Sequence, residues 1–249
     1  MPDLLKNTWQ ETWQNTPDTL SFSKDHIDVW LCDLKQLSGD INNYYAILSD
    51  DERERADKLK IKDMKQQYVL TRGALRQRLG LLTNIDPQDF VFDYLQHGKP
   101  VLVKDARFAN ITFNVSHSYN LALIAIAQKQ NIGIDIEKIN HESKHDQLVT
   151  RFFSEAEQSE FQTMPETNKA KAFCACWARK EAFIKAIGDG VSYGLDSFDV
   201  TVDPDKQTLE INLHKPSEET WSAINLPIND DYMACLVSDR DSLSVRCWC

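Results

Sequence analysis

The sequence has little of several features that mark common protein classes. Its longest unbroken apolar stretch, residues 121–127, is far shorter than the ~20 residues that a membrane-spanning helix needs. No apolar core follows the first residues, so we expect no signal peptide. Eight glycines and eight prolines are too few for a fibrous or largely disordered chain. None of the six cysteines forms a CxxC pair, which favours a reduced, cytoplasmic protein over a disulfide-bonded or zinc-knuckle one.

Basic residues are also scarce. The chain has 28 Lys and Arg against 38 Asp and Glu, and its formal net charge is −10. This balance argues against nucleic-acid binding and against binding to an anionic membrane. Any polyanionic ligand therefore has to be held by a local basic cluster.

The predicted elements follow the same order in both halves of the 249-residue chain. Ser49 with Glu52, and Ser154 with Glu157, are capping boxes that begin helices. An amphipathic helix then follows in each half, over about residues 64–82 and 169–187. The β-rich segments are residues 22–34, 111–115, 121–127 and 132–138. We expect a duplicated α+β unit with an N-terminal subdomain over 1–129 and a C-terminal subdomain over 130–249, in which residues 1–20 are a peripheral extension.

Three carboxylates form a candidate metal site. Asp135 and Glu137 lie two residues apart on the predicted strand and so project from one face, while Glu181 lies within the second long helix. Such a set suits a hard cation, Mg²⁺ or Mn²⁺. The alternative is a solvated strand face and an ordinary Glu181–Lys185 helix pair. Gly133 favours close approach of a ligand or of another backbone segment, because glycine is unusual inside a strand.

Candidate phosphate ligands are spread over both halves. His117 lies between Ser116 and Ser118 in a loop that could offer hydroxyl, imidazole and backbone donors, although a turn histidine bonded to its neighbours is the simpler alternative. Lys99 follows Gly98, where it serves either turn formation or phosphate contact. Four further arginines can instead be the solvated sides of two helices; these are Arg53, Arg55, Arg72 and Arg76.

One segment matches the HExxH signature of zinc peptidases. It runs from His141 through Glu142 to His145, and the mechanism needs both histidines on one face of a buried helix. The surrounding residues are polar instead. We expect a solvated connection between the hairpin and the Ser154 cap.

Five motifs together resemble the surfactin-synthetase type of 4′-phosphopantetheinyl transferase. Each is a weak signal alone, but they occur in the family's order and spacing over roughly residues 45–200. The motifs are Gly98-Lys-Pro100, Phe113-Asn-Val-Ser-His-Ser118, Gly133-Ile-Asp-Ile-Glu137, Phe152-Phe-Ser-x-x-Glu157 and Trp177-x-x-Lys-Glu-x-Phe-x-Lys185. The chain length implies the monomeric class, whose α+β fold has two similar subdomains related by a pseudo-twofold axis. Each subdomain has a small antiparallel sheet packed on a long helix, and the active site lies in the cleft between them.

The resemblance implies transfer of 4′-phosphopantetheine from coenzyme A to a serine of an apo acyl or peptidyl carrier protein, with release of adenosine 3′,5′-bisphosphate. Asp135, Glu137 and Glu181 would hold Mg²⁺, for which Mn²⁺ can substitute. His117, Lys180 and Lys185 would donate to the phosphates. The nucleotide and its 3′-phosphate would meet Ser116, Lys99, Arg55 and Arg72. Glu181, Glu157 or a metal-activated water would accept the serine proton.

The acidic chain offers acidic carrier proteins no general attraction, so docking is expected on a local, partly apolar surface. Two rival classes remain at this point. One is a zinc peptidase that uses the HExxH segment, and the other is an inactive homologue that binds coenzyme A.

Overall fold

Two helices of 22 residues, one in each half of the chain, organise the fold. The computed structural model describes residues 12–95, 98–103, 105, 107–108, 110–141, 145–188, 193–215 and 219–249. Within these ranges no helix combines the length and the apolar character that crossing a membrane requires. The expected mixed α+β fold is confirmed.

Among the residues described, the first half contains four α-helices, two short 3₁₀ helices (Ser38–Asp40 and Pro87–Asp89) and five strands. The helices are α1 (Leu34–Leu37), α2 (Ile41–Ala46), α3 (Asp50–Lys58) and α4 (Lys62–Thr83). The strands are β1 (Ile27–Asp33), β2 (Phe92–Tyr94), β3 (Pro100–Leu102), β4 (Ile111–Ser118) and β5 (Leu121–Gln128).

The second half has the second long helix and its own strands. The helices are α5 (His145–Phe152), α6 (Glu155–Thr163) and α7 (Glu166–Ile187). The strands are β6 (Ile132–Lys138), β7 (Phe198–Val200), β8 (Ile211–Leu213), β9 (Ser222–Asn225), β10 (Tyr232–Ser238) and β11 (Val245–Trp248).

Each long helix covers one face of a sheet, and the two sheets face each other. The first sheet has the order β11-β1-β5-β4 and packs on α4, while the second has the order β6-β10-β9 and packs on α7. A third apolar cluster lies between the sheets, with Val29 and Leu123 from one and Ile134 and Leu236 from the other. Because both sheet faces are covered, the central strands are nearly all apolar.

The last strand crosses the expected subdomain boundary. β11 pairs in parallel with β1, so the first sheet is not purely antiparallel and residues 245–248 belong to the N-terminal sheet. Buried Asp28 holds this junction, because its carboxylate accepts two hydrogen bonds from Arg246, both at 2.7 Å, and one from Trp248 Nε1 at 2.9 Å.

The peripheral extension expected over residues 1–20 is wrong for part of its length. Trp13 is buried, and its indole Nε1 donates to the carbonyl oxygen of Pro227 at 2.6 Å. Gln14 forms a β-bridge with Trp248. Burial of the tryptophan ring ties this segment to the folded chain, and residues 1–11 lie outside the described ranges.

A buried ion pair recurs at the same place in both halves. The capping-box acid Glu52 accepts a 2.7 Å hydrogen bond from Arg76 of α4, and Glu157 lies 2.7 Å from Lys180 of α7. Arg76 and Lys180 each lie 14 residues after the first residue of their helix. Each cation also donates to two backbone carbonyls further along the chain, and these belong to Pro87, Phe90, Leu195 and Phe198. The solvated position considered for Arg76 is therefore wrong, since Glu52 and these carbonyls satisfy its charge in the core.

Gly133 is present because another backbone segment approaches it. A Cβ at this position would lie 1.9 Å from the carbonyl oxygen of Ala182 and 2.4 Å from the nitrogen of Ala186. The missing side chain lets α7 lie directly against β6. Of the two explanations considered for this glycine, the structure supports the backbone contact.

We predict that Gly133→Ala strongly destabilises the protein, by about 3 kcal/mol, because neither strand nor helix backbone can yield without disturbing the packing. Gly39→Ala is the matched control, since a Cβ there meets nothing within 4 Å. Urea unfolding followed by circular dichroism measures both. Equal midpoints for the two variants would contradict the close approach.

Candidate active site

A cleft of about 240 Å³ opens between the two halves. Residues from the turn before β3 and from β4 form one wall, and the last turns of α7 form the other. The lining includes Lys99, Phe113, Asn114, Glu181, Ile184 and Lys185. The cleft therefore combines an apolar floor with two lysines and a carboxylate.

A row of polar contacts joins β4 to β6 beside this cleft. Alternate residues of β4 point to the same side of the strand, and each of three contacts one residue of β6. The contacts are Asn114 Oδ1 with Ile134 N at 2.9 Å, Ser116 Oγ with Asp135 Oδ1 at 2.7 Å, and Ser118 Oγ with Glu137 Oε2 at 3.4 Å. Asn114 was not among the predicted site residues, although its spacing with Ser116 in the sequence was the available signal. The loop expected around His117 is wrong, because Ser116, His117 and Ser118 all belong to β4.

Asp135 has one oxygen occupied and the other free. Its Oδ1 accepts hydrogen bonds from Ser116 and, at 2.6 Å, from Lys185 Nζ. Its Oδ2 is buried, and no described residue forms a hydrogen bond to it. Lys185 forms an ion pair with Asp135. The alternative considered from the sequence, an ion pair between Lys185 and Glu181 on the same helix, is not formed among the described residues. Ser116 is buried and positions Asp135.

Glu137 and Glu181 are half-buried near Asp135. Burial, reinforced by the negative charge of Asp135, raises the pKa of Glu137 to about 7. Burial likewise raises the pKa of Glu181, and Lys185 partly opposes this change. Both glutamates therefore lie where a cation would stabilise their charged forms. No set of three or more His, Cys, Asp or Glu side chains in the described ranges is already arranged as a metal site.

The cationic side of the cleft is crowded. Lys99 Nζ donates to the carbonyl oxygen of Lys185. Burial and the charge of Lys185 lower the pKa of Lys99 to about 8. Burial, together with the same lysine, lowers the pKa of His117. An anion bound here would relieve the repulsion between these groups.

Arg55 and Arg72 lie in an aromatic cluster of the N-terminal half. The Arg55 guanidinium lies 5.6 Å from the ring centroids of both Tyr68 and Tyr94, and its residue is exposed. The Arg72 guanidinium lies 5.1 Å from the Phe92 ring, and its Nε lies 3.3 Å from Glu52. Arg72 Nη1 and the Tyr68 hydroxyl are both buried, and neither forms a hydrogen bond within the described chain.

Two predicted site residues do not reach the cleft surface. Lys180 is completely buried and its ammonium contacts Glu157 and two carbonyls. Glu157 is also buried and accepts hydrogen bonds from the backbone of Ser154 and Val200. The phosphate contact expected for Lys180 and the proton-acceptor role considered for Glu157 are therefore corrected, because the ion pair that holds α6 against α7 uses both side chains.

The two histidines of the HExxH segment lie in different environments. His141 precedes α5 and is exposed, whereas His145 is the first residue of α5 and is buried against the Phe173 ring, with ring centroids 4.5 Å apart. The solvated position expected for His145 is wrong, because this stacking buries the ring. Glu142 lies outside the described residues.

Comparison with known proteins assigns the chain to a family. Residues 131–237 match the model of the 4′-phosphopantetheinyl transferase superfamily, and residues 36–129 match that of the 4′-phosphopantetheinyl transferase N-terminal region. The chain is 31% identical over 227 residues to the 4′-phosphopantetheinyl transferase HetI of Nostoc sp., covering 91% of this chain and 93% of HetI. The chain belongs to the 4′-phosphopantetheinyl transferase superfamily. The suspected resemblance is thus confirmed, and the protein is a transferase enzyme.

Other phosphopantetheinyl transferases match over shorter regions. The Sfp enzyme of Bacillus subtilis is 31% identical over 166 residues, covering 66% of this chain and 70% of Sfp. The mouse L-aminoadipate-semialdehyde dehydrogenase-phosphopantetheinyl transferase is 27% identical over 165 residues, covering 63% of this chain and 53% of that enzyme.

We predict that Lys180→Met destabilises this phosphopantetheinyl transferase by roughly 3–5 kcal/mol, because it leaves Glu157 buried without its cation. Lys171→Met is the control on the same helix, since Lys171 is half-exposed and pairs with Asp205 at the surface. Denaturant unfolding gives the stabilities. A Lys180→Met variant as stable as wild type but with a raised KM for coenzyme A would instead support the original expectation that Lys180 contacts a phosphate.

Proposed function

We propose that the enzyme transfers 4′-phosphopantetheine from coenzyme A to a serine of an apo acyl or peptidyl carrier protein, with Mg²⁺, and releases adenosine 3′,5′-bisphosphate. The observation that carries this proposal is the cleft between the halves, where Lys99 and Lys185 lie beside Asp135, Glu137 and Glu181. A pyrophosphate needs cationic donors, and a divalent cation needs carboxylates. The cleft offers both.

The three carboxylates supply the oxygen ligands that a divalent cation takes, although the described side chains are not already arranged around one. Asp135 keeps one buried oxygen without a hydrogen bond among the described residues, and burial raises the pKa of both Glu137 and Glu181. We therefore assign Asp135, Glu137 and Glu181 as the residues that would hold Mg²⁺, or Mn²⁺ in its place. Bound there, the metal would neutralise charge on the pyrophosphate oxygens.

The lysines and His117 bind and orient the donor. Lys185 and Lys99 reach the pyrophosphate from the α7 side and the β3 side of the cleft, and His117 adds an imidazole donor. Arg55 and the free Nη1 of Arg72 are the candidates for the nucleotide and its 3′-phosphate. Charge-assisted bonds of this kind are about twice as strong as neutral ones, which lets an acidic chain bind a polyanion.

The reaction itself is a phosphoryl-type substitution. The serine oxygen of the carrier forms a bond to the phosphorus next to pantetheine, and the bond from that phosphorus to the bridging oxygen breaks. The bridging oxygen leaves with adenosine 3′,5′-bisphosphate. Glu181 or a metal-activated water remains as the group that accepts the serine proton, since Glu157 is enclosed in its ion pair.

We infer that one chain is sufficient for activity, because both walls of the cleft come from the same chain. A cytoplasmic monomer remains our expectation from the reduced cysteines and the duplicated halves. The direct test incubates several apo carrier proteins with the enzyme, coenzyme A and Mg²⁺, and measures the phosphopantetheine adduct by mass spectrometry. Binding of coenzyme A without any adduct would favour the inactive-homologue alternative.

We predict that Asp135→Ala and Glu181→Ala each lower kcat by about a hundredfold or more, because charge developing on the phosphate oxygens loses its stabilisation. Both variants should also bind Mn²⁺ more weakly, as electron paramagnetic resonance can measure. Glu166→Ala is the control on the same helix, since Glu166 is exposed and pairs with Lys169. Wild-type Mn²⁺ binding and turnover in both test variants would remove the metal site.

We predict that Arg55→Ala and Lys99→Ala raise the KM for coenzyme A about tenfold each, the effect of losing one charge-assisted contact. Dephospho-coenzyme A should be much less sensitive to whichever residue binds the 3′-phosphate. Lys58→Ala serves as the control, because Lys58 is exposed on the same helix as Arg55 and pairs with Glu54. An unchanged KM, with turnover lost equally for both ligands, would refute the nucleotide assignment.

A further inference from the structure

Two edge strands meet beside the cleft without backbone pairing between them. Among the described strands, β4 is an edge of the first sheet and pairs only with β5, while β6 is an edge of the second sheet and pairs only with β10. The two edges nevertheless contact each other. Because buried backbone groups need hydrogen-bond partners, side chains have to supply here what strand pairing does not.

One face of β4 supplies these side chains. The residues of the opposite face, Ile111, Phe113 and Val115, join the apolar core that packs on α4. The intervening residues are short and polar, as the two-residue period of a strand allows. Each forms a hydrogen bond to β6 or to the segment that leads into it, and these residues are Thr112, Asn114, Ser116 and Ser118.

Asn114 holds the backbone directly before a proposed metal ligand. It is buried, and its Oδ1 accepts a 2.9 Å hydrogen bond from the backbone nitrogen of Ile134. The carbonyl oxygen of Ile134 accepts a hydrogen bond from Lys185 Nζ at 3.3 Å. Side chains therefore hold both backbone polar groups of Ile134, and Asp135 is the next residue.

Asp135 is also held through its own side chain. Ser116 Oγ and Lys185 Nζ both donate to its Oδ1, at 2.7 and 2.6 Å. Its Oδ2 is buried and accepts no hydrogen bond from a described residue. Contacts at Oδ1 alone do not fix the direction of Oδ2, because the carboxylate still moves with its backbone. The hydrogen bond from Ile134 to Asn114 restricts that movement.

We propose that Asn114 is a positioning residue for the metal: its amide oxygen holds the backbone of Ile134, so that the free Oδ2 of Asp135 is already directed for a divalent cation. The inference rests on the proposed function, because it adds a residue to the metal site assigned there. Groups that orient metal ligands typically contribute about 10- to 100-fold to metal affinity or activity.

Thr112 offers a matched control on the same face of the same strand. Its Oγ1 donates to the carbonyl oxygen of Gln130 at 2.7 Å, so it also joins β4 to the second half of the chain. Gln130 lies five residues before Asp135. If Asn114 only held the two halves together, loss of either hydrogen bond would have the same consequences.

The test compares Asn114→Ala with Thr112→Val by titration with Mn²⁺, followed by electron paramagnetic resonance without coenzyme A or carrier. We expect Asn114→Ala to weaken Mn²⁺ binding about tenfold or more, and Thr112→Val to bind Mn²⁺ as wild type does. Both variants should unfold at a lower urea concentration, because each loses a hydrogen bond between the halves. Asn114→Ser, whose hydroxyl is one bond shorter than the amide, replaces the alanine variant if that variant does not fold.

Two further measurements separate positioning from a general loss of structure. The kcat of Asn114→Ala should fall about tenfold at a Mg²⁺ concentration that saturates wild type, and additional Mg²⁺ should recover most of it, since the metal ligands themselves are intact. Asn114→Asp keeps an acceptor oxygen at the same distance from the backbone, and it should recover most of the Mn²⁺ affinity that the alanine variant loses.

Several outcomes would overturn the inference while the proposed function stands. These are wild-type Mn²⁺ affinity in folded Asn114→Ala, an equal loss of affinity in Thr112→Val, a loss of kcat that Mg²⁺ does not recover, and a folded Asn114→Asp variant that binds Mn²⁺ no better than Asn114→Ala. If wild type itself neither binds Mn²⁺ nor modifies a carrier, the proposed function fails first.

Discussion

A glutamate that caps a helix and neutralises a buried cation holds each half of this protein together. Glu52 and Glu157 each accept a hydrogen bond from the N-cap backbone and pair with Arg76 or Lys180. A charge buried without its partner costs several kcal/mol, so each pair fixes a short helix, a long helix and the following loop in one arrangement. Glu181 follows Lys180 directly, and a helix turns about 100° per residue. Anchoring the lysine in the core therefore turns the glutamate toward the cleft.

The active-site side of the molecule depends on strand alternation. β4 and β6 each present every second residue to the other, so hydroxyl and amide groups on β4 meet the backbone and carboxylates of β6. This arrangement fixes Asp135 before any ligand is bound, and Lys185 balances its charge. Because α7 contacts β6 directly at Gly133, the helix carrying Glu181 and Lys185 cannot slide relative to the strand carrying the carboxylates.

Local patterns predicted the parts of this fold that depend on neighbouring residues. Periodicity predicted both long helices, whereas the capping boxes begin the short helices α3 and α6. Two-residue spacing placed Asp135 and Glu137 on one strand face. Burial of Arg76 and Lys180 could not be predicted in the same way, because a cation is stable in a core only when distant carbonyls and an acid satisfy it. The partner of Lys185 was missed for a similar reason: the nearby Glu181 was the local choice, and tertiary contact selected Asp135.

The parallel pairing of β11 with β1 has a consequence for the order of folding. Ile27 and Val245 are register partners, so the first sheet cannot be completed until residues 245–248 have left the ribosome. Contacts between residues so far apart in sequence slow folding, because closing a long loop costs entropy before the stabilising contact has formed. During synthesis, the N-terminal half should have the β1 edge unpaired, and an unpaired edge is a template for unwanted strand pairing. Pairing of β11 with β1 soon after synthesis would therefore protect the enzyme from aggregation.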